Sequence, residues 1–337
     1  MKFNLKAALA AALALGLVPF AAQAQVRLKM AHGYAEGHYH SVEGLRKIAD
    51  EIHRRTGGEV TVDVFPAYQL GKAHAPLLSS GLVDMAFVTP PQEPEKFPLS
   101  SIMEMPGLFS GSCDMTSRLW PLVRPGGEIH AQEYAPLGLR PIYLGMMAQY
   151  DIYTTKTPVS TPEDLQGLKL RGNGGTAGKI LRSFGAVPVT LASSDVYDAI
   201  TRGTVDGMYY PASGIHPYSL DTAVRHALTG LQLGAAGSVL VITEKAYKKL
   251  SPEAQLALTA LGEETQQSFC DYIDRMDAEL RNRLMSERGV SLVTLSAEQS
   301  AAWSARVAHV VEEWVGDMRR ARRDGAAVLQ ALPPAAE

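Results

Sequence analysis

The chain has only two cysteines, Cys113 and Cys270, in 337 residues. A single pair so far apart cannot form the bridge-dense framework of a small secreted scaffold. Free or buried thiols are expected, although an exported chain would permit a bridge. Excess charge is scarce too: 32 basic against 35 acidic residues leave a net charge of −3, without the electrostatic footprint of a nucleic-acid binder. The basic run Arg319, Arg320, Arg322 and Arg323 ends a helical pattern, where it suits the negative helix end and solvent, with an interaction patch as the alternative. Catalytic motifs are missing. There is no G-x-S-x-G elbow, and neither cysteine sits in a catalytic signature. The tract Gly172–Lys179 looks like a phosphate cradle, but its glycines are spaced one residue too far apart and Ile180 stands where Ser or Thr would hold magnesium. Past the N-terminus no run of about eighteen apolar residues occurs, so no membrane span is expected there.

What is present begins with a leader. Lys2 and Lys6 form a basic start, Ala7–Val18 an apolar core and Ala22–Ala24 a small-residue cleavage site. This pattern predicts a secretory signal peptide over residues 1–24, with an uncleaved anchor helix as the alternative. Residues 25–337 then make a soluble, exported protein long enough for two domains with their own cores.

Helix and strand patterns alternate along that length with short Gly and Pro punctuation, the α/β signature of mainly parallel strands joined by right-handed crossovers. Strands are expected over Val26–Ala31 and Glu59–Phe65, with a helix from about Ser41 to Thr56 between them. Ser79–Pro90 and Thr201–Pro211 echo one another: a helix end, Gly-x-Val-Asp, a short apolar strand and a proline. Repetition of one unit fits two similar lobes; chance likeness of common turns is the alternative. Ser193 or Ser194 is expected to cap a helix Asp195–Arg202. From Ser251 a helical pattern runs to about Arg288, roughly 55 Å, long enough to cross both lobes. Ser296 and Gln299 form a capping box for a final helix to about Arg323.

In open α/β sheets ligands sit beyond the carboxyl ends of strands. Those ends are Ala31–Gly33, Val88–Pro90, Gln149–Asp151, Arg171–Asn173 and Tyr209–Pro211, and Arg171 is the only arginine among them. Its planar fork matches a carboxylate; a structural salt bridge is the competing role. His38 and His40, with His32 upstream, would face one way from a strand, but no carboxylate or cysteine completes a metal set. Polar loop residues near a cleft are the better reading, and no metal or cofactor is expected.

Four segments together carry a resemblance: Gly57–Gly71 (GGEVTVDVFPAYQLG), Gly81–Val88 (GLVDMAFV), Thr161–Arg171 (TPEDLQGLKLR) and Ser193–Gly207 (SSDVYDAITRGTVDG). The chain resembles the DctP-like substrate-binding proteins of tripartite ATP-independent periplasmic (TRAP) transporters. The resemblance implies a two-lobed α/β periplasmic-binding-protein fold, mostly parallel sheets with helices on both faces, a hinge between the lobes and a long helix spanning both. Residues 25–150 with about 237–276 would form one lobe, 151–236 with about 277–325 the other, and 326–337 a C-terminal tail. It also implies a non-enzymatic periplasmic receptor that hands an organic acid to TRAP membrane permease subunits. A sensory subunit docking on a membrane kinase is the alternative.

The family's carboxylate-binding arginine falls on Arg171, which, with Asn173, His32 and Tyr209, makes up the strand-end part of the expected site. Three positions depart from the family: Tyr150, or Asp151 if the gap shifts by one, replaces the second arginine of sialate- and dicarboxylate-type members, Tyr210 the usual asparagine, and Thr89 a glutamate of sialate-type members. Gly234–Gly237 supplies small residues where others are polar. One anion anchor, phenol rings and a small-residue wall suit a monocarboxylate with an apolar or aromatic body.

Overall fold

The computed structural model describes residues 25–335, apart from Ala192 and the side chain of Ser194; the signal-peptide reading, residues 1–24, lies outside the described residues. The described strands form two sheets. The first contains β1 (Val26–Ala31), β2 (Val60–Phe65), β3 (Met85–Val88), β4 (Leu139–Met146) and β10 (Gly237–Thr243), ordered β2-β1-β3-β10-β4. The second contains β5 (Asp151–Thr154), β6 (Lys169–Gly172), β7 (Val187–Thr190), β8 (Gly207–Tyr210), β9 (His226–Thr229) and β11 (Ser291–Thr294), ordered β11-β9-β5-β8-β6-β7.

Taken from its β7 edge, the second sheet repeats the first. β6 lies parallel between β7 and β8 as β1 does between β2 and β3, and β5 takes the antiparallel place of β10. Both sheets are therefore mixed. Crossovers through intervening helices join the parallel pairs, and antiparallel pairs arise where the chain passes between lobes, from β4 into β5 and from β9 into β10.

The Gly-x-Val-Asp echo has a physical cause. Gly81 and Gly203 take left-handed conformations, φ 74° and 71°, just after helices His74–Ser79 and Val196–Thr201. Asp84 then accepts a hydrogen bond from the Lys29 N–H at 3.0 Å, and Asp206 accepts one from the Lys169 N–H at 2.9 Å. Each aspartate's own N–H donates back to the same lysine's carbonyl. The same residue fastens β3 to β1 in one lobe and β8 to β6 in the other.

The helix Pro252–Arg288 starts at Ser251, whose hydroxyl accepts from the Ala254 N–H, and stops at left-handed Gly289. Its buried residues Leu258, Leu261, Thr265, Phe269 and Ile273 recur at three- and four-residue spacing along one face. The first half packs on β4 and on the helix Lys47–Arg55; the second reaches the turns Ala212–Gly214 and Leu220–Thr222 of the other lobe. Gln266 accepts from the Leu144 N–H at 3.0 Å, satisfying edge strand β4.

Several local expectations change. Cys113 and Cys270 are not free thiols: they form a disulfide, Cα–Cα 4.8 Å, between the start of helix Ser112–Val123 and the middle of the long helix. Asp274, one turn further along, accepts from the N–H groups of Ser112 and Cys113 at 2.9 and 3.1 Å, capping the same helix end. His38 and His40 stand at a turn and the start of a wide helical segment, His40–Arg46, not on a strand. The helix expected from Asp195 begins at Val196, after a tight turn Ser193–Asp195. The Ser296–Gln299 capping box forms, but its helix ends at Arg306, where Val307 leaves helical geometry; a second helix, His309–Arg320, follows. Residues 325–331 add a short helix.

The disulfide closes a loop of 157 residues. Cys270→Ser should lower the unfolding free energy by about 2–4 kcal/mol, read from urea titration under non-reducing conditions. A midpoint equal to that of the unaltered protein would contradict this.

Candidate functional site

The carboxyl ends of β1, β3, β6, β7 and β8 and the two crossings between lobes surround one cavity of about 510 Å³, within the size range of small-molecule sites. Arg171, Asn173, Thr89, Tyr150 and Tyr210 of the expected site all line it, as do Ala236 and Gly237 of the small-residue wall.

Arg171 is 4% exposed and held on three sides. Its Nε donates to the Leu191 carbonyl at 3.1 Å, and Nη2 lies 3.5 Å from the Ser193 hydroxyl. The guanidinium lies over the Tyr210 ring, 4.7 Å from the centroid, a cation–π contact. Its Nη1 is buried with no hydrogen-bond partner, and no carboxylate among the described residues pairs with it. A structural salt bridge is thus absent at Arg171. A buried guanidinium nitrogen without a partner is costly and calls for an anion. Among the described lining residues Arg171 is the only charged one.

Several tyrosines line the rest of the cavity. Tyr150 packs edge-on against Tyr209, centroids 5.1 Å apart, and tilts toward Tyr210 at 6.3 Å. Burial pushes the Tyr210 phenol up to about 12, with Arg171 pulling the other way; burial raises Tyr150 further. Both are neutral donors at physiological pH. The strand ends did not reveal Tyr34, Tyr68 and Tyr218, which also line the cavity. Tyr68 reaches it from a turn in which Ala67 and Tyr68 both have positive φ. Its ring lies against Gly33, where a Cβ would sit 2.1 Å from the ring, so that glycine is required by close approach. Tyr34 and Thr89 both hydrogen-bond the Ser238 hydroxyl, at 3.1 and 2.9 Å.

Two expected residues do not line the cavity. Tyr209 follows the alternation of β8 to the opposite face from Tyr210, and its hydroxyl donates to the Gly234 carbonyl at 3.2 Å. It supports Tyr150 from behind. His32 is buried beside the cleft; its Nδ1 accepts from the Tyr34 N–H at 3.3 Å, and burial lowers its pKa to about 4. His38, weighed above only as a polar loop residue, does line the cavity and is likewise held neutral by burial, with its pKa lowered to about 4. Among the described residues the histidines do not form a three-ligand metal set; Cys113, Cys270 and Asp271 do cluster, but the two cysteines are bonded to each other.

The family profile described as bacterial extracellular solute-binding protein, family 7 (DctP) matches residues 30–317. The 2,3-diketo-L-gulonate-binding periplasmic protein YiaO of Escherichia coli is 26% identical over 287 residues, covering 83% of this chain and 85% of its own. The C4-dicarboxylate-binding periplasmic protein DctP of Rhodobacter capsulatus is 26% identical over 305 residues, covering 87% and 86%. A TRAP periplasmic solute-binding protein of Bordetella bronchiseptica, solved with bound (R)- and (S)-mandelate, is 25% identical and superposes with a TM-score of 0.78 over 91% of this chain and 97% of its own.

Behind Tyr150 and Tyr210 lies an ionic support. Asp151, the residue after Tyr150, points away from the cleft to Arg281 of the long helix, at 2.7 Å; the same guanidinium holds Asp277, also at 2.7 Å. The backbone N–H groups of Ser213 and Ala212, just past Tyr210, face Asp277 and favour its charged form. Burial pushes Asp151 up to about 7 and Asp277 up to about 6, against the pull of Arg281. Both therefore sit above their unfolded range of about 4, so their contribution to stability is full below that range and is lost as pH rises through 6 and 7. Arg281 limits the loss. Arg281→Ala should cost about 3–5 kcal/mol at pH 8 and distinctly less at pH 5, where both acids carry protons, as measured by urea titration at the two pH values. An equal cost at both would contradict this account of the network.

Proposed function

The chain belongs to the family 7 bacterial extracellular solute-binding proteins, and from that premise we propose that it captures a monocarboxylate with an aromatic or apolar body. The family makes it a TRAP-type receptor for organic acids that partners with a membrane permease, a binding protein and not an enzyme. The periplasm is its place of work in this reading, supported by the leader pattern of residues 1–24 and by the Cys113–Cys270 bridge.

One observation carries the ligand class: among the described lining residues there is a single cation, and it has a nitrogen without a partner among them. A lone fork neutralises one carboxylate. A second carboxylate would be desolvated among neutral phenols, at a cost, which disfavours the C4-dicarboxylates of the Rhodobacter capsulatus relative. The walls of Tyr34, Tyr68, Tyr150, Tyr210 and Tyr218 offer flat apolar faces with hydroxyl rims, which suits an aromatic acid such as the mandelate of the Bordetella bronchiseptica relative. Lobe closure over the ligand, through the two crossings and the long helix, follows the hinge mode of such receptors.

Calorimetric titration tests the reading. Monocarboxylates with ring or apolar bodies should bind more tightly than succinate, malate or sialate. Arg171→Ala, which strands a buried carboxylate, should lose about 2–5 kcal/mol, roughly thirtyfold to several thousandfold in affinity. Arg171→Lys should recover part, keeping the charge without the fork. A folded Arg171→Ala protein binding within about threefold of the unaltered one, or a dicarboxylate as the tightest ligand, would overturn it.

A further inference from the structure

Asn173 stands two residues beyond Arg171 at the end of β6 and lines the same cavity. Its amide is asymmetric in its surroundings. Nδ2 points to the Glu104 Oε1, 3.4 Å away, whereas Oδ1 is buried with no partner among the described residues. The cleft therefore holds two unmet groups close together along the chain: a donor, Arg171 Nη1, and an acceptor, Asn173 Oδ1.

Glu104 does not line the cavity. It ends the tight helical turn Leu99–Glu104, is 5% exposed, and reaches across to the start of helix Gly175–Ser183, beside Gly175 and Thr176. The crossing segment holds it from the other side, for a Cβ on Gly234 would lie 2.2 Å from the Glu104 carbonyl oxygen. Burial raises its pKa to about 8, against the hydrogen bonds of Thr176 and Asn173, so the carboxyl is neutral at pH 7. A neutral acid can bridge Thr176 and Asn173 without repelling an anion on Arg171. The acceptor role of Oε1 toward Nδ2 leaves Oδ1 as the amide's free end.

We propose that Glu104 is a positioning residue for Asn173, and that the pair makes the cleft select acids with a hydroxyl or amide hydrogen on the carbon next to the carboxylate. The inference rests on the carboxylate reading of Arg171. The anchor fixes the carboxyl group, and Asn173, two residues on, accepts from the adjacent substituent. A 2-hydroxy acid meets both unmet groups. A 2-oxo acid sets its ketone oxygen against Oδ1, and an unsubstituted acid leaves Oδ1 unpaired, the kind of loss by which a polar site rejects an analogue.

The test is calorimetry with two ligand trios of constant body: mandelate, phenylacetate and benzoylformate, and lactate, propionate and pyruvate. In at least one trio the hydroxy acid should bind about tenfold or more tighter than both partners. Asn173→Ala and Glu104→Ala should each reduce that preference to about threefold or less, and the double variant should reduce it no further, since both act through one contact. Glu104→Gln, which keeps the acceptor toward Nδ2, should retain it; should Glu104→Ala fail to fold, Asn173→Ala and Glu104→Gln decide. Equal binding within both trios, a preference for the oxo acids, or a hydroxy preference that survives Asn173→Ala would overturn the inference. If those acids still bind in an Arg171-dependent manner, the carboxylate reading stands and only this inference falls. If neither trio binds, both fall.

Discussion

The structure turns on a guanidinium buried with one nitrogen unmet. Arg171 is fixed by a carbonyl from the end of β7 and by the Tyr210 ring at the end of β8, while Nη1 has no partner. Burying a charge this way is unfavourable in isolation. It is sustained by a frame that cannot easily move: β6 lies between β7 and β8 in the interior of a sheet. The tyrosines beside it are neutral, and among the described residues no carboxylate pairs with it. The anion that fills it would exclude water at closure and act at a lower effective dielectric than a surface pair.

Around that anchor the two lobes are variations on one unit. Each places a parallel triplet of strands with their carboxyl ends at the cleft and receives a fourth, antiparallel strand from the other crossing. The crossings contribute Met147, Tyr150 and Ala236 to the cavity, and Gly237 opens β10 beside them, so the segments that would bend on the proposed closure border the cavity. The long helix ties these parts together. It carries the disulfide to one lobe and the Arg281 network to the other, directly behind the residues that follow Tyr150 and Tyr210. Ligand contact and hinge are thereby mechanically adjacent.

Much of this was legible in the sequence for reasons that can be named. Strand ends are marked by periodicity and by Gly and Pro, so Arg171, Asn173, Thr89 and Tyr210 could be placed at the cleft from the general rule for open α/β sheets. The echo around Asp84 and Asp206 was visible because the same backbone hydrogen bonds are needed twice. Of the two residues left open by the gap, Tyr150 lines the cavity and Asp151 pairs with Arg281 behind it. What was missed depends on three-dimensional closure. Tyr34, Tyr68 and Tyr218 come from loops, and the left-handed pair Ala67–Tyr68 has no periodic signature. Tyr209 and Tyr210 are neighbours on one strand and cannot both face the cleft. Glu104 is one acid on a short turn, and the cysteines lie 157 residues apart; only the fold brings their partners to them.

In the proposed complex the unmet Arg171 nitrogen is the seat of the ligand's carboxylate. A crystal structure grown with the tightest monocarboxylate tests it most directly. The account predicts closed lobes with one carboxylate oxygen about 2.7–3.0 Å from Nη1 of Arg171 and the body of the ligand against Tyr150 and Tyr210. A bound acid whose carboxylate lies elsewhere, with Nη1 of Arg171 still unpaired, would contradict it.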